Sequence, residues 1–239
     1  MKSFINKISL ILLMTAIAAG CGSSGGDSSP QVAIPLDTSV IRTYQQGDNL
    51  TATVTLRDTA TGQTASGTVT VTIGAIVQNP FGIDCRSVTY AGTLTGPAGT
   101  IAYNVRSLFY QDTSNSLYEC GEFNDTLGRY VFLTDTATSP NGIFLEEKSP
   151  VQIGDLTSGV FFLDDGTWED CTRTVLAKEN VSVPLGLYES YKVSESCSFS
   201  DGTTLTETLW TVPSIFNLKE TGEVDGISIE ILVTGYSYK

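Results

Sequence analysis

Apolar and polar residues alternate along most of the chain with a period of two. Residues 50–57 alternate apolar positions with threonine, and residues 68–73 place Val69, Val71 and Ile73 on one face. The polar, glycine-containing stretch 58–67 between them predicts a hairpin. A second hairpin is expected from 87–95 and 100–110 across Gly96, Pro97, Ala98 and Gly99. Residues 112–115 form a turn into 116–119, and 130–133, 142–146 and 160–163 read as short strands. Residues 181–220 read as a meander: a Pro-Leu-Gly turn, a strand, a Ser-Asp-Gly turn, a strand carrying Trp210, a turn at Pro213 and a return strand. Pro184 confines its part of that run to an edge or a bend. The last strand is expected over 227–233, with Glu230 as its charged member. Helical periodicity does not persist beyond two turns. The pattern predicts an all-β protein: a curved antiparallel meander sheet, an open half-barrel or a two-lobed barrel-like body, with few or no helices.

Residues 1–20 depart from this pattern. Lys2 and Lys7 precede an apolar run, 8–19, that is short for a membrane span and is followed by small residues, as in a secretory signal. Ala18-Ala19-Gly20-Cys21 resembles a lipobox. The resemblance implies cleavage before Cys21 and its acylation, a durable anchor when several chains insert. Gly22 in the following position implies the outer membrane. Residues 21–39, rich in Gly and Ser, read as a flexible tether. Residues 40–239 remain as one all-β domain, with lobes expected at 40–139 and 150–239, each holding one cysteine pair.

The net charge is −13, and more negative once Lys2 and Lys7 are set aside. Such a surface repels phosphate backbones, so no nucleic-acid partner is expected. Four cysteines follow Cys21: Cys85, Cys120, Cys171 and Cys197. An even number in an exported domain implies disulfides, and three pairings are open. Cys171 and Cys197 lie almost symmetrically about Pro184-Leu185, so a hairpin there would bring them together on adjacent strands. That leaves Cys85 with Cys120. Hairpin counting puts one strand between those two, and the bond then needs a bend or an early strand end.

The stretch VSVPLGLYESYKV, beginning at Val181, resembles a strand-turn-strand element of uncharacterised bacterial outer-membrane lipoproteins. In that pattern a tryptophan strand, a proline turn and an apolar-Lys step follow, here Leu209-Trp210, Pro213 and Leu218-Lys219. Upstream, Tyr110-Gln111-Asp112 with Ser116-Leu117-Tyr118, and the step from Pro150 to Gly154, resemble further elements of the same proteins. The chain departs from the pattern at Leu185 and Asn217. The resemblance implies an open β half-barrel similar to periplasmic lipoprotein carriers, and it brings no catalytic residues.

The chain has no histidine, which removes imidazole catalysis and most zinc or copper sites. Carboxylate chemistry remains. The doublets Glu146-Glu147, Asp164-Asp165 and Glu169-Asp170 should split across the two faces of a strand, and Asp164-Asp165-Gly166 reads as a turn. Trp168, Trp210 and Tyr191 are the candidate ligand-facing aromatics. No catalytic residue, metal or cofactor is expected. The reading is a non-enzymatic lipoprotein, anchored in the outer membrane through Cys21, whose concave sheet holds a lipid, an acyl chain or an envelope protein. The alternatives are a surface-displayed β-sandwich for adhesion or glycan binding, and a hydrolase using two carboxylates on separate strands.

Overall fold

The computed structural model describes residues 39–239, apart from the side chain of Phe216. The leader, Cys21 and the tether as far as residue 38 lie outside the described residues. Thirteen strands form one antiparallel sheet: β1 (Asn49–Asp58), β2 (Thr64–Gln78), β3 (Asp84–Gly96), β4 (Gly99–Gln111), β5 (Leu117–Asn124), β6 (Arg129–Phe132), β7 (Phe144–Glu147), β8 (Leu156–Phe162), β9 (Trp168–Val183), β10 (Gly186–Phe199), β11 (Thr204–Val212), β12 (Phe216–Val224) and β13 (Ile227–Ser237). Among the described residues the one helical element is a single 3₁₀ turn, Pro140–Gly142.

The strand order is β6-β5-β4-β3-β2-β1-β13-β12-β11-β10-β9-β8, with β7 paired to β5. Along the main path every neighbour is sequential except β1 and β13, whose ladder runs from Asn49 against Ser237 to Asp58 against Ile227. This pairing makes the sheet continuous across residues 40–139 and 150–239. The two ends of the sheet meet at one bridge, Leu133 to Leu163. Backbone bonds from Thr134 N to Phe162 O (2.7 Å) and from Asp164 N to Phe132 O (2.9 Å) flank it.

Alternation explains the core. Leu50, Ala52, Val54 and Leu56 on β1, and Ile227, Ile229, Ile231 and Val233 on β13, are all buried inward. Glycine permits the coil of the sheet at β2 and β3. A Cβ on Gly92 would lie 2.1 Å from the Thr68 carbonyl oxygen, so the strands could not approach as they do. The predicted polar loop after β1 is shorter than expected, because β2 already begins at Thr64.

The tight turn at Pro184-Leu185 is present, since Val183 pairs with Gly186. Cys171 then faces Cys197 directly, and the two are bonded with Cα atoms 4.1 Å apart. Cys85 and Cys120 are also bonded, at 6.5 Å. The intervening β4 is passed because the β3–β4 ladder begins at Arg86, one residue beyond Cys85. On the other side, Cys120 is the extra residue of a bulge, since Leu108 pairs with Gly121 and Phe109 with Glu119. This second bridge sits with Leu108 in a separate apolar cluster that includes Val77, Ile83 and Ile143.

One end of the body is plugged by residues 39–48. Tyr44 is buried edge-on to Phe109. Asp48, also buried, accepts bonds from Gln45 N and from Lys239 N, which ties the last residue to the first strand. The opposite end carries the β1–β2, β3–β4 and β12–β13 turns.

Candidate functional site

The concave face is filled with side chains. Val54, Tyr90, Val193, Leu205, Leu209 and Leu218 meet there, and the cavity bounded by Tyr90, Asn217 and Glu220 measures about 20 Å³. That is room for a water molecule and not for an acyl chain.

The unexpected feature of this interior is its acidity. Glu195 on β10 stands opposite Arg173 on β9 and opposite Glu207 on β11. Glu220 on β12 lies one step along, against Leu209. Glu169, four residues before Arg173 on β9, and Glu119 on β5 face the same space. Glu147 on β7 completes the ring, and all six of these glutamates are buried. Arg173 is the buried cation among the described residues. Its Nη2 donates to Glu147 Oε2 at 2.9 Å and its Nη1 to Glu195 Oε2 at 3.2 Å.

The doublet Glu146-Glu147 does not split as expected. Leu117 pairs with Glu147 and Tyr118 with Leu145, so Glu146 is the extra residue of a bulge. The bulge breaks the alternation, and both carboxyl groups feel Arg173 and Glu195. The other doublets follow the expectation. Glu169 is buried while Asp170 is exposed. Asp164 and Asp165 occupy the β8–β9 turn, where Arg129 and Asn124 hold them.

Burial favours the neutral acid over the carboxylate. It raises Glu119 well above the usual range, and Glu169, Glu146, Glu122 and Glu195 push in the same direction. Glu169 and Glu207 are raised well above the usual range for the same first reason. Glu146 is pushed up to about 8 by burial, against the pull of Arg173, with Glu195 and Glu147 adding to the rise. Glu122, at the margin of the group, rises to about 7 through burial and then Asp165 and Asp125. Both oxygens of Glu119, which is 4% exposed, lack a hydrogen-bond partner. An unpaired ionised carboxylate in such a place is costly, so burial favours the neutral acid at Glu119.

The sequence-derived aromatics do not converge. Trp210 is half-buried on the face opposite Leu209, where its indole donates to Glu179 (2.7 Å) and Lys192 and Lys219 stand over its ring. Trp168 is half-buried at the start of β9, opposite Phe162. Tyr191 is buried, with the Lys178 ammonium 4.9 Å from its ring centre. Cys171, Cys197 and Glu195 have metal-ligand spacing among the described residues, but the two sulfurs are spent on each other.

An open recess lies at the turn end. Leu56, Ala65, Pro97, Ala98, Ile101 and Ile227 form the apolar part of an open cleft of about 270 Å³, with Asp58 and Gln63 at its polar edge. Nothing in the residue pattern marked it, because the cleft forms between three turns that are distant in sequence.

No protein-family model and no curated protein matches the chain. Among solved structures it is similar to a protein from Bacteroides fragilis described as exported, with a YmcC-like fold (11% identity, 83% of this chain, 99% of that one, TM-score 0.43). It is also similar to a protein from Parabacteroides distasonis described as a lipoprotein (12%, 84% and 98%, 0.43). A third is a β-barrel-like protein of a domain of unknown function from Brucella abortus (9%, 82% and 99%, 0.45). Likeness at this level leaves the reading of the site to the chain's own residues.

Proposed function

We propose that the chain is a lipid-anchored envelope protein that holds an apolar ligand, an acyl chain or lipid, in the cleft at its turn end and performs no chemistry on it. The observation that carries this reading is the cleft: its walls are largely apolar, and its size suits one segment of a chain. Its position supports the reading too. Ser39, where the tether joins, is held at the plugged end by Val151 N. The ten residues of β1 separate the two ends by roughly 30 Å. The chain thus enters the body at the end opposite the cleft, which leaves the mouth of the cleft clear of the tether's attachment point. Against a hydrolase stand the small spaces beside the glutamates, about 20 Å³ and 10 Å³, which admit no substrate.

Titration with a fluorescent fatty acid tests the cleft. The wild type should bind, and Ala98→Trp, which fills the recess from a turn, should weaken binding at least tenfold. Equal binding by both proteins, or none by the wild type, defeats the reading. The anchor is tested separately: Cys21→Ser should move the protein from the membrane fraction to the soluble one, and retention in membranes would refute acylation at that residue.

A further inference from the structure

The line where the ends of the sheet meet lacks the ladder that joins neighbouring strands elsewhere in the sheet. β7 lies against β8, yet no ladder joins them among the described residues. Side chains make the connection. Thr157 Oγ1 donates to the Glu146 carbonyl at 3.1 Å, and Thr138 Oγ1 donates to the Val160 carbonyl. The rings of Phe144 and Phe161 lie 4.8 Å apart. Behind them Arg173 reaches Glu147. Among the described residues, backbone bonds cross only at the Leu133–Leu163 bridge.

The groups behind this seam carry an excess of acid. Glu119 faces Glu169, Glu146, Glu122 and Glu195. Glu169 faces Glu122, Glu146 and Glu195. Glu146 faces Arg173, Glu195 and Glu147, and Glu147 in turn faces Arg173 and Asp155. Asp155 is paired with Lys148 on the solvent side, at 3.7 Å. From the far wall Tyr90 faces Glu146, Glu220 and Glu119. A crevice of about 10 Å³ lies between Glu146, Asp155, Thr157 and Arg173.

We propose that the β7–β8 seam is a pH-operated opening of the barrel, shut while the glutamates behind it are neutral and parted when they lose their protons. Two physical facts join here. Like charges packed into a low-dielectric space repel far more strongly than in water. The strain is then released at the weakest boundary, and the boundary without a ladder is the weakest. Arg173 compensates only part of the charge, since it already serves Glu147 and Glu195. The direction of the burial effects agrees, because Glu146 at the seam is held near 8.

Amide hydrogen exchange on the mature chain, corrected for intrinsic rates, tests this at pH 5 and pH 9. Residues 144–147 and 156–162 should exchange at least tenfold faster at pH 9, while β1 and β13 keep their protection. In Glu119→Gln/Glu169→Gln, which removes two ionisable groups and keeps their shape, the acceleration should fall to less than threefold. Glu119→Gln alone is read in the same way should the double variant not fold. Equal protection of the seam at both pH values overturns the proposal. Loss of protection in β1 and β13 together with the seam, or acceleration undiminished in the glutamine variant, also overturns it.

Discussion

Arg173 on β9 reaches Glu147 on β7 across the line where the two ends of the sheet meet, with Nη2 2.9 Å from Oε2. Both side chains are 7% exposed. The same guanidinium holds Glu195 on β10, so one residue ties three strands together inside the barrel. A planar cation with five donors suits two carboxylates at once.

Removing that cation leaves two buried acids without their partner. Arg173→Met should therefore lower stability by about 3 kcal/mol at pH 7, the low end of the cost of breaking a buried pair, because Glu147 and Glu195 can take up protons in response. The deficit should shrink at pH 5, where those protons cost less. Urea unfolding at the two pH values measures both quantities. A deficit that is the same at pH 5 and pH 7 would mean that charge is not what Arg173 supplies.

The interior acids also set the pH dependence of the whole fold. A carboxyl whose folded pKa is raised binds more protons in the native state than in the unfolded one over the interval between its two pKa values. Stability then falls as pH rises through that interval. Glu119, Glu146, Glu169 and Glu207 are all raised, and with Glu122 near 7 and Glu146 near 8 the loss falls between about pH 4.5 and pH 8. Glu179 acts in the opposite direction: the Trp210 indole and then Lys192 hold it low, so its smaller contribution is lost only in acid. The melting temperature should thus be highest near pH 5 and decline towards pH 8. A melting temperature that climbs from pH 5 to pH 8 would contradict the assignment.

The two disulfides should not be equivalent. Cys171–Cys197 joins strands already paired residue by residue, whereas Cys85–Cys120 spans β4 and fastens the loop 79–83 over it. Each closes a loop of similar length, so each should contribute roughly 3.5–4 kcal/mol by restricting the unfolded chain. Replacing Cys85 and Cys120 by Ala should in addition speed exchange around Ile83 and Ile143, which pack on that bridge. The same replacement at Cys171 and Cys197 should leave those amides unchanged.

Much of this architecture is legible in the residues. The alternation in β1, β2 and β13, the turns at Pro184-Leu185 and after Phe199, and the pairing of Cys171 with Cys197 all follow from local pattern. The β1–β13 ladder does not, because it joins segments about 180 residues apart and no local rule selects that partner. The bulges at Cys120 and Glu146 are likewise decided by neighbouring strands. The interior acids left a trace that composition hides. Glu195 falls in phase with Val193, Cys197 and Phe199, and Glu207 falls between Leu205 and Leu209. A glutamate on the apolar beat of a strand is the signal that predicts an inward carboxyl. Counting acidic doublets looks past it.

The carboxyl carbons of ¹³C-labelled glutamate, followed by NMR from pH 4 to pH 9 and assigned through single Glu→Gln variants, test the protonated interior most directly. Glu119, Glu146 and Glu169 should keep the shift of the neutral acid at pH 6. If every glutamate of the folded protein titrates together near 4.5, the interior is charged at neutral pH and the account of the barrel given above is wrong.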